Sequence, residues 1–166
     1  MKSIFITGYN GFIGSYIADY FYSKKYTIFG VGRSSNQKKN KHYFKEFINE
    51  TLPGENTRRL LERIKPDWIF HCAGNSNIQD SFKDPLKDIE SNTFMTFRLL
   101  NDIKDYSPQS KIYIFSSAAV YGNPKYLPIK ETDTTNPLSP YGFHKLLSEN
   151  ICKEFSEIYS LNIVIL

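Results

Sequence analysis

A tyrosine followed four residues later by a lysine is a spacing that can support proton transfer. In a helix the two side chains lie one turn apart on the same face. The ammonium stabilises a phenolate, so such a phenol can exchange a proton with a substrate hydroxyl. The spacing occurs in four pairs, Tyr20/Lys24, Tyr121/Lys125, Tyr126/Lys130 and Tyr141/Lys145. With 12 Tyr in 166 residues, the spacing alone does not identify a site.

The position in the chain favours the pair Tyr141/Lys145. Pro124 and Pro128 interrupt the second and third pairs, so we do not expect a continuous helix there. The first pair lies at the far end of the first predicted helix. Tyr141 opens a long predicted helix and follows a strand that ends in two serines, at the edge where α/β proteins bind ligands. The candidate catalytic residues are therefore Ser117, Tyr141 and Lys145; a helix tyrosine with a solvated lysine is the alternative.

A glycine-rich segment, Thr7-Gly-Tyr-Asn-Gly-Phe-Ile-Gly14, joins the first predicted strand to the first predicted helix. Its glycines permit a tight turn, a close approach to a pyrophosphate and close packing of the helix on the strand. The phosphates then bind the free N–H groups at the positive end of the helix. No Gly-Lys-Ser/Thr follows, which excludes a P-loop. The predicted dinucleotide site comprises Gly8, Asn10, Gly11, Phe12, Ile13 and Gly14; a glycine turn without a ligand is the alternative.

The end of the second predicted strand bears on the choice of cofactor. A dinucleotide without a 2′-phosphate commonly meets an acidic residue about 20 residues beyond the glycines. Here Ser34 stands 20 residues after Gly14, and Arg33 precedes it. Because an arginine and a serine can hold a 2′-phosphate, we expect NAD(P) with a preference for NADP. The alternative is that Arg33 points into solvent.

Short apolar runs alternate with helical stretches along the chain. Such runs are typical of strands buried on both faces, and the alternation predicts a doubly wound parallel α/β sheet of the Rossmann type. The predicted strands are Ser3–Thr7, Thr27–Val31, Trp68–Ala73, Lys111–Ser116 and Asn162–Leu166; the predicted helices are Phe12–Ser23, Thr57–Ile64, Pro85–Lys104 and Pro140–Tyr159. Thr57 is the predicted N-cap of the second helix, and Asp84-Pro85 is the predicted start of the third. Lys38–Phe47 offers one more candidate strand.

The composition excludes several classes of protein. With 40% hydrophobic and 16% aromatic residues, a chain of this length can fold as one domain spanning residues 1–166. No apolar run approaches the roughly 20 residues of a membrane span, and the strand and glycine segment begin so close to Met1 that we expect no signal peptide. The net charge is only +4, and the basic cluster Lys38–His42 is typical of a solvated loop, so we expect no nucleic-acid partner.

The spacing of Cys72 and Cys152 predicts free thiols in a reducing compartment, the cytoplasm, and no metal site.

These residues together resemble the extended short-chain dehydrogenase/reductases, specifically the nucleotide-sugar epimerase/dehydratase family. The resemblance covers essentially the whole chain, through the glycine segment and through His71-Cys-Ala-Gly74, Ser116-Ser-Ala-Ala-Val-Tyr-Gly122 and Pro140-Tyr-Gly-Phe-His-Lys145. It implies that Ser117, Tyr141 and Lys145 form a catalytic triad. It also implies that Ala73, Gly74 and Asn92 lie at the cofactor, and that Tyr141 and Lys145 reach it as well, Lys145 at the nicotinamide ribose.

One departure from the family narrows the implied reaction. Family dehydratases carry an acidic pair directly after the catalytic Ser or Thr, and the decarboxylases carry a glutamate there. This chain has Ala118 and Ala119, which cannot transfer protons. The resemblance therefore implies 4-epimerisation of a nucleotide-diphosphate sugar. The alternatives are an NADPH-dependent reductase of a nucleotide-4-keto-sugar, which Arg33 favours, and, from another class, a non-catalytic dinucleotide-binding module.

The chain ends inside a predicted buried strand, on Ile163–Leu166. Because termini are usually exposed, we expect a chain that is truncated at its C-terminus. Family members continue into a segment that completes the sheet and builds the sugar pocket, so the resemblance implies that this substrate-binding segment is missing. Family members also often form homodimers through two packed helices, for which the third and last helices are the candidates.

Overall fold

The computed structural model of the protein describes residues 2–33 and 41–166. Within these residues the chain forms a parallel sheet of six strands in the order β3-β2-β1-β4-β5-β6. The strands are β1 (Ser3–Thr7), β2 (Thr27–Gly32), β3 (Glu46–Asn49), β4 (Trp68–His71), β5 (Lys111–Ile114) and β6 (Asn162–Ile165). The helices are α1 (Phe12–Ser23), α2 (Glu55–Ile64), α3 (Ile78–Lys83), α4 (Pro85–Ile89), α5 (Met95–Tyr106) and α6 (Pro140–Tyr159).

Helices cover both faces of the sheet because the central strands are apolar on both faces. In β1, Ile4 and Ile6 pack with Ala18 of α1 in one core layer. Phe5, between them, points to the other layer, which includes Leu99 of α5 and Phe155 of α6. All six of these side chains are buried. The strand order reverses its direction between β1 and β4, which is the topological switch point of a doubly wound sheet. This order confirms the predicted Rossmann-type sheet.

The predicted elements are confirmed with small changes at their ends. The helices Phe12–Ser23 and Pro140–Tyr159 match, as does the strand Ser3–Thr7. Strands β4 and β5 end two residues earlier than predicted, so the residues after them stand in loops at the carboxyl edge of the sheet. No helix within the described residues is both long enough and apolar enough to cross a membrane.

The predicted N-cap at Thr57 is wrong. Helix α2 begins two residues earlier, with Gly54 as its N-cap. Thr57 instead donates its backbone N–H (3.0 Å) and its hydroxyl (2.7 Å) to the Glu50 carboxylate. The Glu50 carboxylate, from the loop before α2, therefore accepts a hydrogen bond in the first turn that an N-cap side chain would otherwise accept.

The predicted third helix is confirmed at its start and divided further along. Asp84 caps α4 by accepting a hydrogen bond from the N–H of Lys87 (3.0 Å), and Pro85 occupies the first turn. A π-helical segment, Glu90–Phe94, then connects α4 to α5, which ends at Tyr106. Such π segments occur frequently at functional sites.

Two elements differ from the sequence prediction. The candidate strand in Lys38–Phe47 overlaps β3 only at Glu46 and Phe47, and residues 34–40 lie outside the described part of the chain. Helix α3 was not predicted; Asn77 caps it by accepting hydrogen bonds from the N–H groups of Gln79 and Asp80.

A buried chain of hydrogen bonds joins β1, β4 and α5. The Thr96 hydroxyl donates its single proton to the Asn92 carbonyl (2.7 Å), so its oxygen must accept from Nε2–H of His71 (3.3 Å). Nδ1 of His71 then accepts from the Thr7 hydroxyl (2.7 Å), whose oxygen accepts from the N–H of Ala73 (3.1 Å). With these directions the imidazole is neutral. Burial, with the nearby Lys145 charge, lowers the pKa of His71 to about 3.

We expect His71 to make the fold sensitive to acid. Its pKa is 6.5 in the absence of the fold and about 3 within it. Between these pH values the unfolded chain binds one more proton than the folded chain. The contribution of His71 to the free energy of unfolding therefore falls by about 1.4 kcal/mol per pH unit as the pH drops from 6.5 towards 3. Urea denaturation between pH 7 and pH 4.5 should show this slope in the parent protein and a shallower one in His71→Asn.

His42→Asn provides the matched control, because His42 is exposed. This variant should keep the slope of the parent protein. The same slope in the parent protein and in His71→Asn would show that the imidazole does not need to stay neutral in the fold.

Candidate active site

The glycine loop is packed so tightly that side chains would not fit at two of its glycines. Gly8 has φ +66°, and a Cβ there would lie 2.8 Å from the backbone nitrogen of Ala73. A Cβ at Gly14 would lie 2.4 Å from the Gly8 carbonyl oxygen. Gly11 is the N-cap of α1 and offers no side chain to cap it. The first N–H groups of α1, from Phe12 and Ile13 onwards, therefore face the loop in the geometry that holds a phosphate.

Asn10 joins the glycine loop to the end of β2. Its side-chain Nδ2 donates to the Arg33 carbonyl oxygen (2.6 Å). A Cβ at Gly32 would lie 2.9 Å from the Asn10 side-chain oxygen. Arg33 is exposed and borders the same cavity as the loop. Ser34, the other residue predicted to hold a 2′-phosphate, lies outside the described residues.

A cavity of about 990 Å³ lies along the carboxyl edge of β1, β2 and β4. Its size suits a ligand of several hundred daltons. It is lined on the side of the glycine loop and β2 by Gly8, Asn10, Gly11 and Arg33, and on the side of β4 by Ala73 and Gly74. Six residues predicted to contact a dinucleotide thus line one cavity.

Asn92 provides a further sign that the cavity holds a ligand. It lies in the π-helical segment and is 3% exposed. Its side-chain Oδ1 is buried without a hydrogen-bond partner. A Cβ at Gly74 would lie 2.8 Å from this oxygen, and Gly74 lines the cavity. Because buried polar atoms are nearly always paired, this open acceptor behind Gly74, which lines the cavity although Asn92 does not, is consistent with a ligand on that side.

Tyr141 and Lys145 stand in the first two turns of α6. Ser139 caps this helix by accepting a hydrogen bond from the N–H of Gly142 (3.1 Å), and Pro140 follows as its first residue. Tyr141 is buried, and its backbone N–H donates to the Ser81 hydroxyl (3.1 Å) of α3. The Lys145 ammonium donates to the Phe115 carbonyl oxygen (2.7 Å) just beyond β5.

Ser117 lies in the turn against which α6 packs. Its hydroxyl oxygen accepts a hydrogen bond from the N–H of Ala119 (3.2 Å) and so caps the short 3₁₀ turn Ala118–Val120. A Cβ at Gly142 would lie 2.7 Å from the Ala119 carbonyl oxygen. The fold therefore brings the turn of Ser117 and the first turn of α6 into contact, although about 25 residues of chain separate them.

Burial shifts the pKa of Lys145 and the pKa values of the two cysteines in opposite directions. Burial lowers the pKa of Lys145, while the nearby Cys152, Asp88 and Glu149 oppose this shift. Burial raises the pKa of Cys72 and of Cys152 to about 12, and both are free. They are therefore unreactive thiols, and no cluster of candidate metal ligands occurs in the described ranges.

The sequence did not single out several polar residues around the site. Thr7, His71 and Thr96 form the buried chain described above. Asp88 of α4 accepts hydrogen bonds from His144 of α6 and from two asparagines. The contacts of His71 with Thr7 and Thr96, and of Asp88 with His144, join positions 25 to 64 residues apart, so no local motif could reveal them. The segment His71-Cys-Ala-Gly74 gave the one hint, because it contains the histidine.

Comparison with known proteins finds a family model and relatives that match nearly the whole chain. A family model described as GDP-mannose 4,6 dehydratase matches residues 5–166. The chain is 30% identical to a putative UDP-glucose 4-epimerase of Methanocaldococcus jannaschii over 98% of its own length and 54% of that protein. It is 29% identical to a GDP-mannose 4,6-dehydratase of Vibrio cholerae, over 96% of its own length and 47% of that protein.

The fold also matches solved structures. The crystal structure of UDP-glucose 4-epimerase from Brucella ovis in complex with NAD superposes with a TM-score of 0.92 and 26% identity. The match covers 99% of this chain and 51% of the Brucella chain. The chain thus spans about half the length of the proteins that it matches.

Proposed function

The chain belongs to the GDP-mannose 4,6-dehydratase family of the extended short-chain dehydrogenase/reductases, and we propose that it is the cofactor-binding part of a NAD(P)-dependent nucleotide-sugar 4-epimerase. One observation carries this proposal. Tyr141 and Lys145 stand at the start of a helix that packs against the Ser117 turn, and Lys145 donates to the Phe115 carbonyl just beyond the carboxyl end of β5. Two alanines follow Ser117 where a family dehydratase needs acids.

The proposed roles follow from the contacts of each side chain. A nicotinamide dinucleotide held by the glycine loop and by the Ala73-Gly74 segment would supply the hydride acceptor and donor for the sugar C4. Tyr141 removes the proton of the C4 hydroxyl and later gives it back. The Lys145 ammonium, held by the Phe115 carbonyl, stabilises the phenolate. Ser117 accepts from the N–H of Ala119, which leaves its own hydroxyl proton to donate to the sugar oxygen.

Ala118 and Ala119 favour an epimerase over a dehydratase. Elimination of water from the sugar needs side chains that move protons, and these two have none. Relatives of both kinds match the chain, so family membership alone does not choose between them. The names of these relatives support a nucleotide-diphosphate sugar as the substrate. The compounds in these names, UDP-glucose and GDP-mannose, each consist of a nucleoside diphosphate attached to a hexose.

Arg33 supports the second candidate, an NADPH-dependent reductase of a nucleotide-4-keto-sugar. It is an exposed cation at the end of β2, beside the cavity, where a 2′-phosphate would lie. The Brucella structure contains NAD, which supports the epimerase. The same Tyr141, Lys145 and Ser117 would serve either reaction, so the choice of cofactor separates the two.

Exposed apolar side chains support a homodimer of the family kind. Phe94 precedes α5 and Phe97 lies on it; Phe143 and Leu147 lie on α6. All four are more than 40% exposed. Apolar groups spaced three and four residues apart on two helices suit pairing with a second copy. The free thiols of the half-buried Cys72 and the buried Cys152 suit the cytoplasm, which we propose as the compartment.

We expect Tyr141→Phe to abolish most of the turnover. The full gene product would be assayed on UDP-, dTDP- and GDP-hexoses by separating the C4 epimers. Loss of the phenolic proton carrier should lower kcat at least about 100-fold, the usual contribution of a general acid–base group. Tyr20→Phe is the matched control, because Tyr20 also precedes a lysine by four residues but lies exposed on α1. It should keep full activity.

Turnover at the wild-type rate in Tyr141→Phe would exclude the proposed mechanism. Tight dinucleotide binding without turnover of any sugar in the parent protein would favour the non-catalytic module instead.

We expect Arg33→Ala to weaken the binding of NADP relative to NAD by about 10-fold, because it removes one charge-assisted contact to the 2′-phosphate. Isothermal titration with both dinucleotides gives the ratio of the two dissociation constants. Arg59→Ala is the control, because it removes the same charge from an exposed position on α2 that does not line this cavity. An unchanged ratio in Arg33→Ala would remove Arg33 from the choice of cofactor.

A further inference from the structure

A buried carboxylate lies behind the wall of the cavity. Asp88 of α4 has a side chain that is only 1% exposed. Its Oδ2 accepts from Nδ1 of His144 (2.6 Å), and its Oδ1 accepts from the side-chain amides of Asn75 and Asn92 (3.1 Å each). An isolated charge would be costly at such a site. Hydrogen bonds from His144, Asn75 and Asn92, which stand in three separate segments, compensate the burial of the Asp88 carboxylate. The carboxylate therefore couples the positions of these three side chains.

The carboxylate fixes the orientation of the Asn92 amide. An ionised carboxylate can only accept hydrogen bonds, so the Asn92 NH₂ group must face Asp88. The Asn92 Oδ1 must then face the opposite way. This oxygen is the buried acceptor without a partner, and a Cβ at Gly74 would lie 2.8 Å from it. Asp88 thus fixes that the Asn92 amide turns an acceptor rather than a donor towards Gly74, which lines the cavity.

His144 joins this arrangement to the helix that carries the candidate catalytic pair. It stands between Tyr141 and Lys145 in α6, and its side chain is 12% exposed. Its backbone carbonyl accepts from the Thr93 hydroxyl (2.9 Å), next to Asn92 in the π-helical segment. Side chain and backbone at one position of α6 therefore both hold the segment that presents Asn92.

The strand order indicates which half of a dinucleotide would meet Asn92. The glycine loop follows the central strand β1, so the pyrophosphate lies there and the two nucleosides extend to opposite sides. Arg33 at the end of β2 marks the adenosine side. Gly74 after β4 and Lys145 beside β5 mark the nicotinamide side, and Asn92 lies against Gly74.

We propose that Asp88 and His144 are positioning residues for the nicotinamide half of the cofactor. The pair holds the Asn92 amide with its oxygen against Gly74, which lines the cavity, so that this acceptor stays available to a hydroxyl group on the nicotinamide side. The proposal rests on the proposed function to the extent that the cavity holds a nicotinamide dinucleotide. It does not depend on which sugar is the substrate.

The test compares the binding of a whole dinucleotide with the binding of its adenosine half. The full gene product would be titrated with NAD and with ADP, or with NADP and 2′,5′-ADP if NADP binds more tightly. In Asp88→Asn the new amide can also donate, so the Asn92 amide loses its fixed orientation. The affinity for the dinucleotide should fall about 10-fold, the effect of one buried hydrogen bond. The affinity for the adenosine half should stay within about twofold.

Two further variants separate positioning from a structural role. In His144→Asn, an amide nitrogen replaces Nδ1 as the donor to Asp88, so dinucleotide binding should stay within about threefold of the parent value. His144→Phe removes that donor and should lower only the dinucleotide affinity. Asp105→Asn, at a half-exposed position on α5, makes the same change of charge away from the cavity and should alter neither ligand.

The outcomes distinguish this proposal from the proposed function. If the parent protein binds the dinucleotide no more tightly than its adenosine half, the nicotinamide side is not engaged and both proposals fail. If the parent protein does discriminate, unchanged dinucleotide binding in Asp88→Asn, or an equal loss for both ligands, overturns only the role of Asp88. If Asp88→Asn does not fold, parent-like dinucleotide binding in His144→Phe overturns it instead.

Discussion

The neutral imidazole of His71 is the constraint on which the site depends. Through Thr7 it ties the end of β1 to the loop after β4, and through Thr96 it ties both to α5. The glycine loop starts directly after Thr7, and Gly8 has no room for a side chain against Ala73. A proton on Nδ1 of His71 would stop it from accepting the hydrogen bond of the Thr7 hydroxyl. The contact between the end of β1 and His71 at the end of β4 therefore depends on the uncharged imidazole.

The parallel sheet brings the candidate site residues together at one edge. All strands end at one edge, so segments far apart in the sequence meet there. Lys145 reaches the carbonyl beyond β5, and the first turn of α6 packs against the turn that holds Ser117. The π-helical segment aims Asn92 at Gly74 from the other side. Binding and chemistry thus depend on loops and helix starts, whereas the strands supply rigid support.

The fold was largely predictable because burial dominates its sequence pattern. The central strands are apolar on both faces, and such runs are recognisable without neighbours. Strand β3 was not, because Glu46–Asn49 is a four-residue edge strand in which only the two middle residues are apolar and none is fully buried. The N-cap at Thr57 failed for a different reason. Its donors are taken by Glu50, a residue whose approach depends on the loop between β3 and α2.

The candidate site could be predicted only where its residues follow a motif. The glycine loop and the pair Tyr141/Lys145 have fixed local spacing, so the sequence indicates them directly. Asp88 and His144 are 56 residues apart, and neither belongs to a spacing with chemical meaning. Only the packing of α4 on α6 reveals that they meet. The same holds for the open acceptor of Asn92, whose direction depends on its partner.

The fate of the hydrogen at C4 of the sugar is the most direct test of the central claim, which is reversible hydride transfer within one active site. The full gene product would be incubated with UDP-glucose that carries deuterium at C4, and the C4 epimer would be isolated and analysed by mass spectrometry. The account predicts an epimer that retains the deuterium at C4, since the same hydride leaves and returns. An epimer that has exchanged this deuterium for solvent hydrogen would contradict the account.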